Sequence, residues 1–196
     1  MLQGARNAHI ASLKKASEVC GIRIQIQELR KSSDLQSSHF DAIILPGGES
    51  TSMRLTGNSP VSQLLPSLLE WIRQRPLLPV LGTCAGAILL ADPQDGQSRL
   101  IDTTINRNAY GRQIDSFQAA VQSSLLSRNF SGIFIRAPKF NSKVDAENIV
   151  ATCNGDVVGV RKINRIALTF HPELSGDTGF HQWIIEKANT LKEESD

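Results

Sequence analysis

The residues best suited to chemistry lie in three short runs. The first, Gly82-Thr83-Cys84-Ala85-Gly86, follows the apolar run Leu77–Leu81 and precedes a small-residue stretch over 85–91. A cysteine on such a strand-to-helix turn stands at a strand end, and the flanking glycines remove side chains that would crowd a strained backbone. Free N–H groups and the positive dipole end of the following helix favour a thiolate and an oxyanion. The plainer alternative is a buried cysteine in a Gly/Ala packing turn, and the run alone leaves both open.

The second run, His171-Pro172-Glu173, follows the buried-strand pattern Arg165–Phe170. Loops at the carboxyl edge of a parallel sheet are where open α/β sheets bind ligands. A histidine there can serve as base to a cysteine from another strand end, while Glu173 fixes its tautomer. By itself the run also fits a helix start, with Pro172 in the first position and Glu173 in the first turn. The third run is Leu45-Pro46-Gly47-Gly48-Glu49-Ser50-Thr51. Paired glycines after a strand let backbone N–H groups approach a ligand and supply the other half of an oxyanion hole, or they form a turn and helix cap.

The elements that must position these runs are read from apolar periodicity. Residues 5–20 predict a helix with Ala8, Ala11, Leu13, Ala16 and Val19 inward and Gly21 past its end. Ile22, Ile24 and Ile26 alternate with polar residues at strand period, and Phe40–Leu45 predicts a short buried strand. A helix is expected over 60–75 from Pro60, then the strand Leu77–Leu81 and a helix over 85–91. Shorter strands come next at 100–105, 116–122, 132–136, 148–153 and 156–161, the last two joined by a hairpin at Asn154-Gly155. The strand Arg165–Phe170 and a closing helix over 178–192 complete the chain, with Phe180, Trp183, Ile184 and Leu191 inward. The expected fold is α/β in three layers, a mostly parallel sheet flanked by helices with an antiparallel extension in the middle of the chain.

Composition narrows the function. The 196 residues are 40% hydrophobic and suit one domain over 1–196; 21 Lys+Arg against 19 Asp+Glu leave +2. That balance argues against nucleic-acid binding through a broad basic face. No apolar run approaches the ~20 residues of a membrane span, and the start lacks a secretory layout. Three widely spaced cysteines, Cys20, Cys84 and Cys153, form neither a metal cluster nor a disulfide framework, which points to a reducing, cytoplasmic setting without a metal or cofactor. Cys20 and Cys153 are expected in the core. His9, His39 and His181, isolated in sequence, are expected at the surface or in caps, and Lys14-Lys15 on a solvated helix face.

Together the three runs resemble the class I, triad-type glutamine amidotransferases, which have a flavodoxin-like fold. More narrowly, LPGGEST, GTCAGAILL, Asn106-Arg107-Asn108-Ala109-Tyr110-Gly111-Arg112-Gln113, FIRAP (134–138) and HPEL resemble, in order, the glutaminase subunits of pyridoxal 5'-phosphate synthases. The resemblance implies Cys84 as nucleophile, His171 as acid/base and Glu173 as its orienting partner. It implies an oxyanion site at the N–H groups of Gly48 and Ala85, and glutamine binding by Gly47, Gly48, Glu49, Arg107, Ile135 and Arg136. An arginine suits the α-carboxylate of glutamine because its planar fork matches carboxylate geometry.

The implied reaction is hydrolysis of L-glutamine to L-glutamate and ammonia, the ammonia passing to a synthase (lyase) subunit in a hetero-oligomer for vitamin B6 formation. One departure stands out: such chains usually begin with an apolar strand running into Leu-Gln-Gly, whereas Met1 here is followed at once by Leu2-Gln3-Gly4, so that strand is expected to be missing or shortened. The alternatives are the glutaminase subunit of another synthase, such as imidazole glycerol phosphate synthase, which the 106–113 and FIRAP runs fit worse, and a catalytically idle synthase-binding variant. A cysteine α/β-hydrolase fits poorly, because there the acid precedes the histidine.

Overall fold

A computed structural model describes residues 4–36, 39–107, 116–141 and 143–194. In chain order these form helix α1 (Arg6–Cys20), strand β1 (Ile43–Leu45), α2 (Ser50–Gly57), α3 (Leu64–Arg73), β2 (Val80–Thr83), α4 (Ala85–Ala91), β3 (Ile105–Asn106), β4 (Ser116–Ser123), β5 (Arg128–Ile135), β6 (Lys139–Phe140), β7 (Ile149–Cys153), β8 (Asp156–Lys162), β9 (Arg165–Leu168) and α5 (Gly179–Glu193). Seven strands make one sheet in the order β1-β2-β9-β8-β7-β4-β5, and β3 pairs β6 in a small second sheet.

The expected α/β fold is present as a mixed sheet flanked by helices. Only β1, β2 and β9 run parallel; β8, β7, β4 and β5 are antiparallel, a larger share than an extension. The parallel part buries both faces, so β2 and β9 are buried at every residue, as strands covered by helices must be. The hairpin joining β7 to β8 turns at Asn154 (φ 50°) and Gly155 (φ 85°). Two consecutive positive φ values make the type I′ turn that matches strand twist.

The two cores lie on opposite faces of the sheet. One is aliphatic, with Leu64, Leu65, Leu68, Leu69 and Ile72 of α3 packed with α4. In the other, Phe130, Phe134, Phe170 and Phe180 are each at most 2% exposed, and their rings meet at centroid distances of 5.0–5.8 Å. Phe170 immediately precedes His171, so this cluster anchors the backbone of the site.

Several local expectations change. The helix expected from Pro60 begins at Leu64, because Pro66 lacks an N–H and its ring clashes with the carbonyl four residues earlier, so it is tolerated only in a first turn. Residues 60–62 form turns instead, and the run after Gly48 forms α2. Residues 22–27 keep the anticipated alternation, isoleucines half-buried and polar residues exposed, yet pair with no strand among the described residues. Residues 22–29 help line a cleft of about 710 Å³ together with Ile43–Leu45 and residues of α1, α3 and α5. The stripe anticipated on α1 is kept in part: Ala16 is buried and Leu13 packs against the core, but Val19 is 68% exposed and Ala11 is exposed, while His9 and Ser12 are buried in their place. Cys153 is buried as anticipated, whereas Cys20 lies half-buried outside the core. No helix among the described residues is long and apolar enough to cross a membrane.

Candidate active site

The parallel pairing decides where the three runs end. Leu45 of β1 registers with Gly82 of β2, and Thr83 of β2 with Leu168 of β9. The three strands therefore deliver Gly47-Gly48, Cys84 and His171 from their C-terminal ends to one carboxyl edge, the edge where open α/β sheets bind ligands. The antiparallel strands curl back to the same place. The His171 N–H donates to the Ile133 carbonyl at 2.8 Å, and Cys84 Sγ lies 4.0 Å from the Ile135 carbonyl oxygen, both on β5 at the far end of the strand order.

Cys84 sits at φ 47°, ψ −102° between β2 and α4, a strained conformation for a residue with a side chain. Its N–H donates to the Leu168 carbonyl at 2.8 Å, and its carbonyl accepts from Ile88 N–H at 3.2 Å. The glycines of the elbow are steric requirements. A Cβ on Gly86 would lie 2.0 Å from the Leu45 carbonyl oxygen, and one on Gly82 would lie 2.6 Å from a Leu90 methyl.

His171 Nδ1 lies 2.7 Å from Glu173 Oε1, and the ring stands close to the Cys84 side chain, both lying within 3.3 Å of where a Cβ on Gly47 would stand. The carboxylate can only accept, so Nδ1 carries the proton and donates. Burial opposes charge on this ring, but the adjacent Cys84 thiol and the Glu173 carboxylate outweigh it and raise the imidazole to about 10. Burial also pushes the Glu173 carboxyl up, and the hydrogen bond and charge of His171 override that and hold it below the usual range.

The expectation that His9 and His181 lie at the surface or in caps is overturned. They are 3% and 0% exposed. His9 Nδ1 lies 2.9 Å from His181 Nε2, and His9 Nε2 lies 3.1 Å from Thr83 Oγ1 and 3.4 Å from Glu173 Oε2. Burial lowers both imidazoles, His9 against the attraction of Glu173, and His181 to about 4 with His9 adding repulsion. The available signal was helical spacing: His9, Ser12 and Ala16 share one face of α1, and His181 lies beside Phe180, Ile184 and Ile185 on α5.

Around this centre, the turn between β1 and α2 presses on the imidazole. A Cβ on Gly47 would stand 2.3 Å from His171 Cε1 and 3.3 Å from Cys84 Cβ. Glu49 caps α2, accepting from Thr51 N–H at 2.9 Å and Ser52 N–H at 2.6 Å, and these bonds hold its carboxyl at about 2. Arg107 donates to Ser50 Oγ at 2.6 Å and Thr51 Oγ1 at 3.1 Å, which places it beside the same turn. Ile135 is half-buried, and Arg136 is exposed at φ 44° just past the end of β5. Residues 108–113 of the Asn106–Gln113 run lie outside the described residues.

Residues 1–190 match the SNO glutamine amidotransferase family. The chain belongs to that family. Among similar proteins, the pyridoxal 5'-phosphate synthase subunit PdxT of Thermococcus onnurineus is 41% identical over 198 residues, covering 95% of each chain. The PdxT subunit of Methanosarcina mazei is 34% identical over 197 residues, covering 95% of this chain and 94% of its own. A glutamine amidotransferase crystal structure matches with a TM-score of 0.75 at 33% identity over 96% of both chains. PurLQS of Thermotoga maritima matches with a TM-score of 0.60 at 17% identity over 92% of each, a likeness of fold alone.

Crowding at Gly47 and the three titrating imidazoles each carry an expected result. Gly47→Ala is expected to displace the imidazole and lower glutaminase kcat/KM about 100-fold, the typical result of an ångström of misplacement; undiminished turnover in a steady-state assay would show that the ring yields freely. The second result concerns pH. His9 and His181 have folded values below 6.5, so the unfolded chain binds more protons between about 4 and 6.5 and stability rises with pH there. His171, raised to about 10, adds stability that is complete below 6.5 and lost as pH climbs through 10. Denaturant unfolding across pH is expected to show a maximum near 6.5, and a curve still rising from pH 7 to 10 would contradict it.

Proposed function

We propose that this chain hydrolyses the carboxamide of L-glutamine and delivers the ammonia to a pyridoxal 5'-phosphate synthase subunit. The observation that carries the reading is the convergence, at one sheet edge, of a cysteine, a histidine close to it and a carboxylate on one ring nitrogen of that histidine. The PdxT relatives supply the synthase context.

The geometry supports a role for each group. His171 Nε2 takes the Cys84 proton, and Sγ attacks the carboxamide carbon of glutamine. The resulting imidazolium, held by Glu173, protonates the leaving nitrogen as ammonia departs, leaving a γ-glutamyl thioester on Cys84. His171 then accepts a proton from water, which attacks the thioester and frees glutamate. The N–H groups of Gly48 and Ala85 bind the oxyanion of both tetrahedral intermediates; one such donor typically contributes ~10²–10³ in turnover. Gly47, Gly48 and Glu49 form one wall of the glutamine pocket, with Arg107, Ile135 and Arg136 around it and an arginine fork on the α-carboxylate. The pocket requires neither metal nor cofactor for this chemistry.

The test is ammonia and glutamate release from glutamine by the chain alone and with a synthase subunit added, with mass spectrometry of quenched reactions to find the glutamyl adduct on Cys84. Stoichiometric release with an adduct at Cys84 is the expected result. No release in the assembled complex would overturn the glutaminase reading.

A further inference from the structure

We infer that His9, backed by His181, is a positioning residue for the Cys84–His171–Glu173 centre, acting as a neutral donor that fixes the second oxygen of the Glu173 carboxylate. This rests on the glutaminase reading of that centre and extends it to residues on α1 and α5.

The Glu173 side chain is fully buried, with its Oε1 committed to His171. Its Oε2 makes no hydrogen bond among the described residues and faces His9 Nε2 at 3.4 Å. A buried carboxylate oxygen without a donor is costly, and only an N–H at His9 Nε2 supplies one from this direction. That requirement propagates. With the proton on Nε2, His9 Nδ1 is a bare acceptor and must receive the proton of His181 Nε2, 2.9 Å away. His181 Nδ1 is then bare as well, in agreement with its lack of any hydrogen-bond partner, since a buried N–H left alone would be worse placed than a bare ring nitrogen. One tautomer assignment is therefore consistent along the whole row: His181 Nε2–H donates to His9 Nδ1, His9 Nε2–H faces Glu173 Oε2, and His171 Nδ1–H donates to Glu173 Oε1.

Neutrality matters to the function. A second imidazolium beside Glu173 would compete with the His171 imidazolium for the same carboxylate, and burial of both rings keeps His9 and His181 uncharged. The same Nε2 lies 3.1 Å from Thr83 Oγ1, next to the nucleophile, so His9 ties the elbow to the acid. Ser12, one turn further along α1, donates from Oγ to the Glu173 carbonyl at 3.4 Å. Helix α1 thus holds both the carboxylate and the backbone of Glu173.

Three variants and one spectrum decide the matter. Glutamine hydrolysis is measured in the assembled complex with the synthase subunit, with melting temperature recorded for each variant. His9→Leu removes the donor, and kcat is expected to fall about 10–100-fold, the usual effect of losing an outer-shell partner, with KM within about threefold because no contact to substrate is lost. His9→Gln restores an N–H near the Nε2 position and is expected to recover most of kcat. In ¹⁵N-histidine NMR of the wild-type chain at neutral pH, His9 and His181 are expected as neutral tautomers protonated at Nε2. Wild-type kcat in a folded His9→Leu, a Gln variant as poor as the Leu variant, or a His9 ring protonated at Nδ1 would each overturn the inference. Should His9→Leu fail to fold, the Gln variant and the tautomer carry the test: Gln within about tenfold of wild type supports it, and a full 100-fold loss overturns it. Cys84→Ala serves as the separate control, because retained hydrolysis there would sink the glutaminase reading while leaving the tautomers as found.

Discussion

Cys84→Ala is expected to abolish glutamine hydrolysis, lowering kcat about 10⁴–10⁶-fold, the range seen when a nucleophile is removed from an otherwise intact site. The substitution isolates chemistry from folding. Alanine keeps the Cβ, so the backbone at φ 47° carries the same strain, and the Cys84 N–H to Leu168 and carbonyl to Ile88 bonds are main-chain and survive. What disappears is the sulfur of the proposed nucleophile and the nearby thiol that helps raise His171. Ammonia release should therefore vanish with little change in melting temperature, no adduct should form, and the alkaline loss of stability should shrink. Persistent hydrolysis would show that the elbow is not the nucleophile.

Glu173→Gln is expected to cost about 10³–10⁴-fold in kcat, comparable to replacing the carboxylate of a catalytic triad by its amide. The carboxylate accepts from His171 Nδ1 at 2.7 Å, and its second oxygen faces His9 Nε2 at 3.4 Å. An amide in the same place must turn its NH₂ group toward one of two N–H donors. Either His171 is forced to the wrong tautomer, with its proton on the nitrogen that should receive the thiol proton, or the His9 contact becomes repulsive. The negative charge that stabilises the imidazolium is lost in both cases. The pH of maximal stability should move down, since His171 loses one of the partners that raise it. A loss below about tenfold in steady-state kinetics would mean that Glu173 does not orient the base.

Much of the architecture was legible because it rests on local signals. The helix over 85–91 coincides with α4, and the closing helix expected over 178–192 is α5 at Gly179–Glu193. The Asn154-Gly155 hairpin is present, because two consecutive positive φ values call for those residue types. The start of α3 was legible too, but in Pro66 rather than Pro60. Residues 22–27 show the limit of periodicity. Alternation reports which side chains face the interior, and it does so correctly there, but a strand also needs a neighbour in hydrogen-bonding reach, and among the described residues none pairs with this segment.

The buried histidines were illegible for a different reason. Single polar residues are assigned to the surface by default, since an unpaired buried imidazole is costly. His9 and His181 escape that cost by bonding each other and facing Thr83 and Glu173, partners far away in the chain.

By itself the chain specified which atoms can react and the turns that carry them: a thiol on a Gly-flanked elbow, an imidazole two residues before a carboxylate, and a double glycine after a strand. These are short-range matters of backbone sterics and side-chain type. Tertiary structure alone decided that the three share one edge with β5 and α1. That depends on the parallel register of β1, β2 and β9, on the curl that brings the Ile133 and Ile135 carbonyls to His171 and Cys84, and on a helix face packed onto Glu173. Such contacts join residues far apart in the chain, and their energy comes from mutual burial, which no single segment can express before the others are in place.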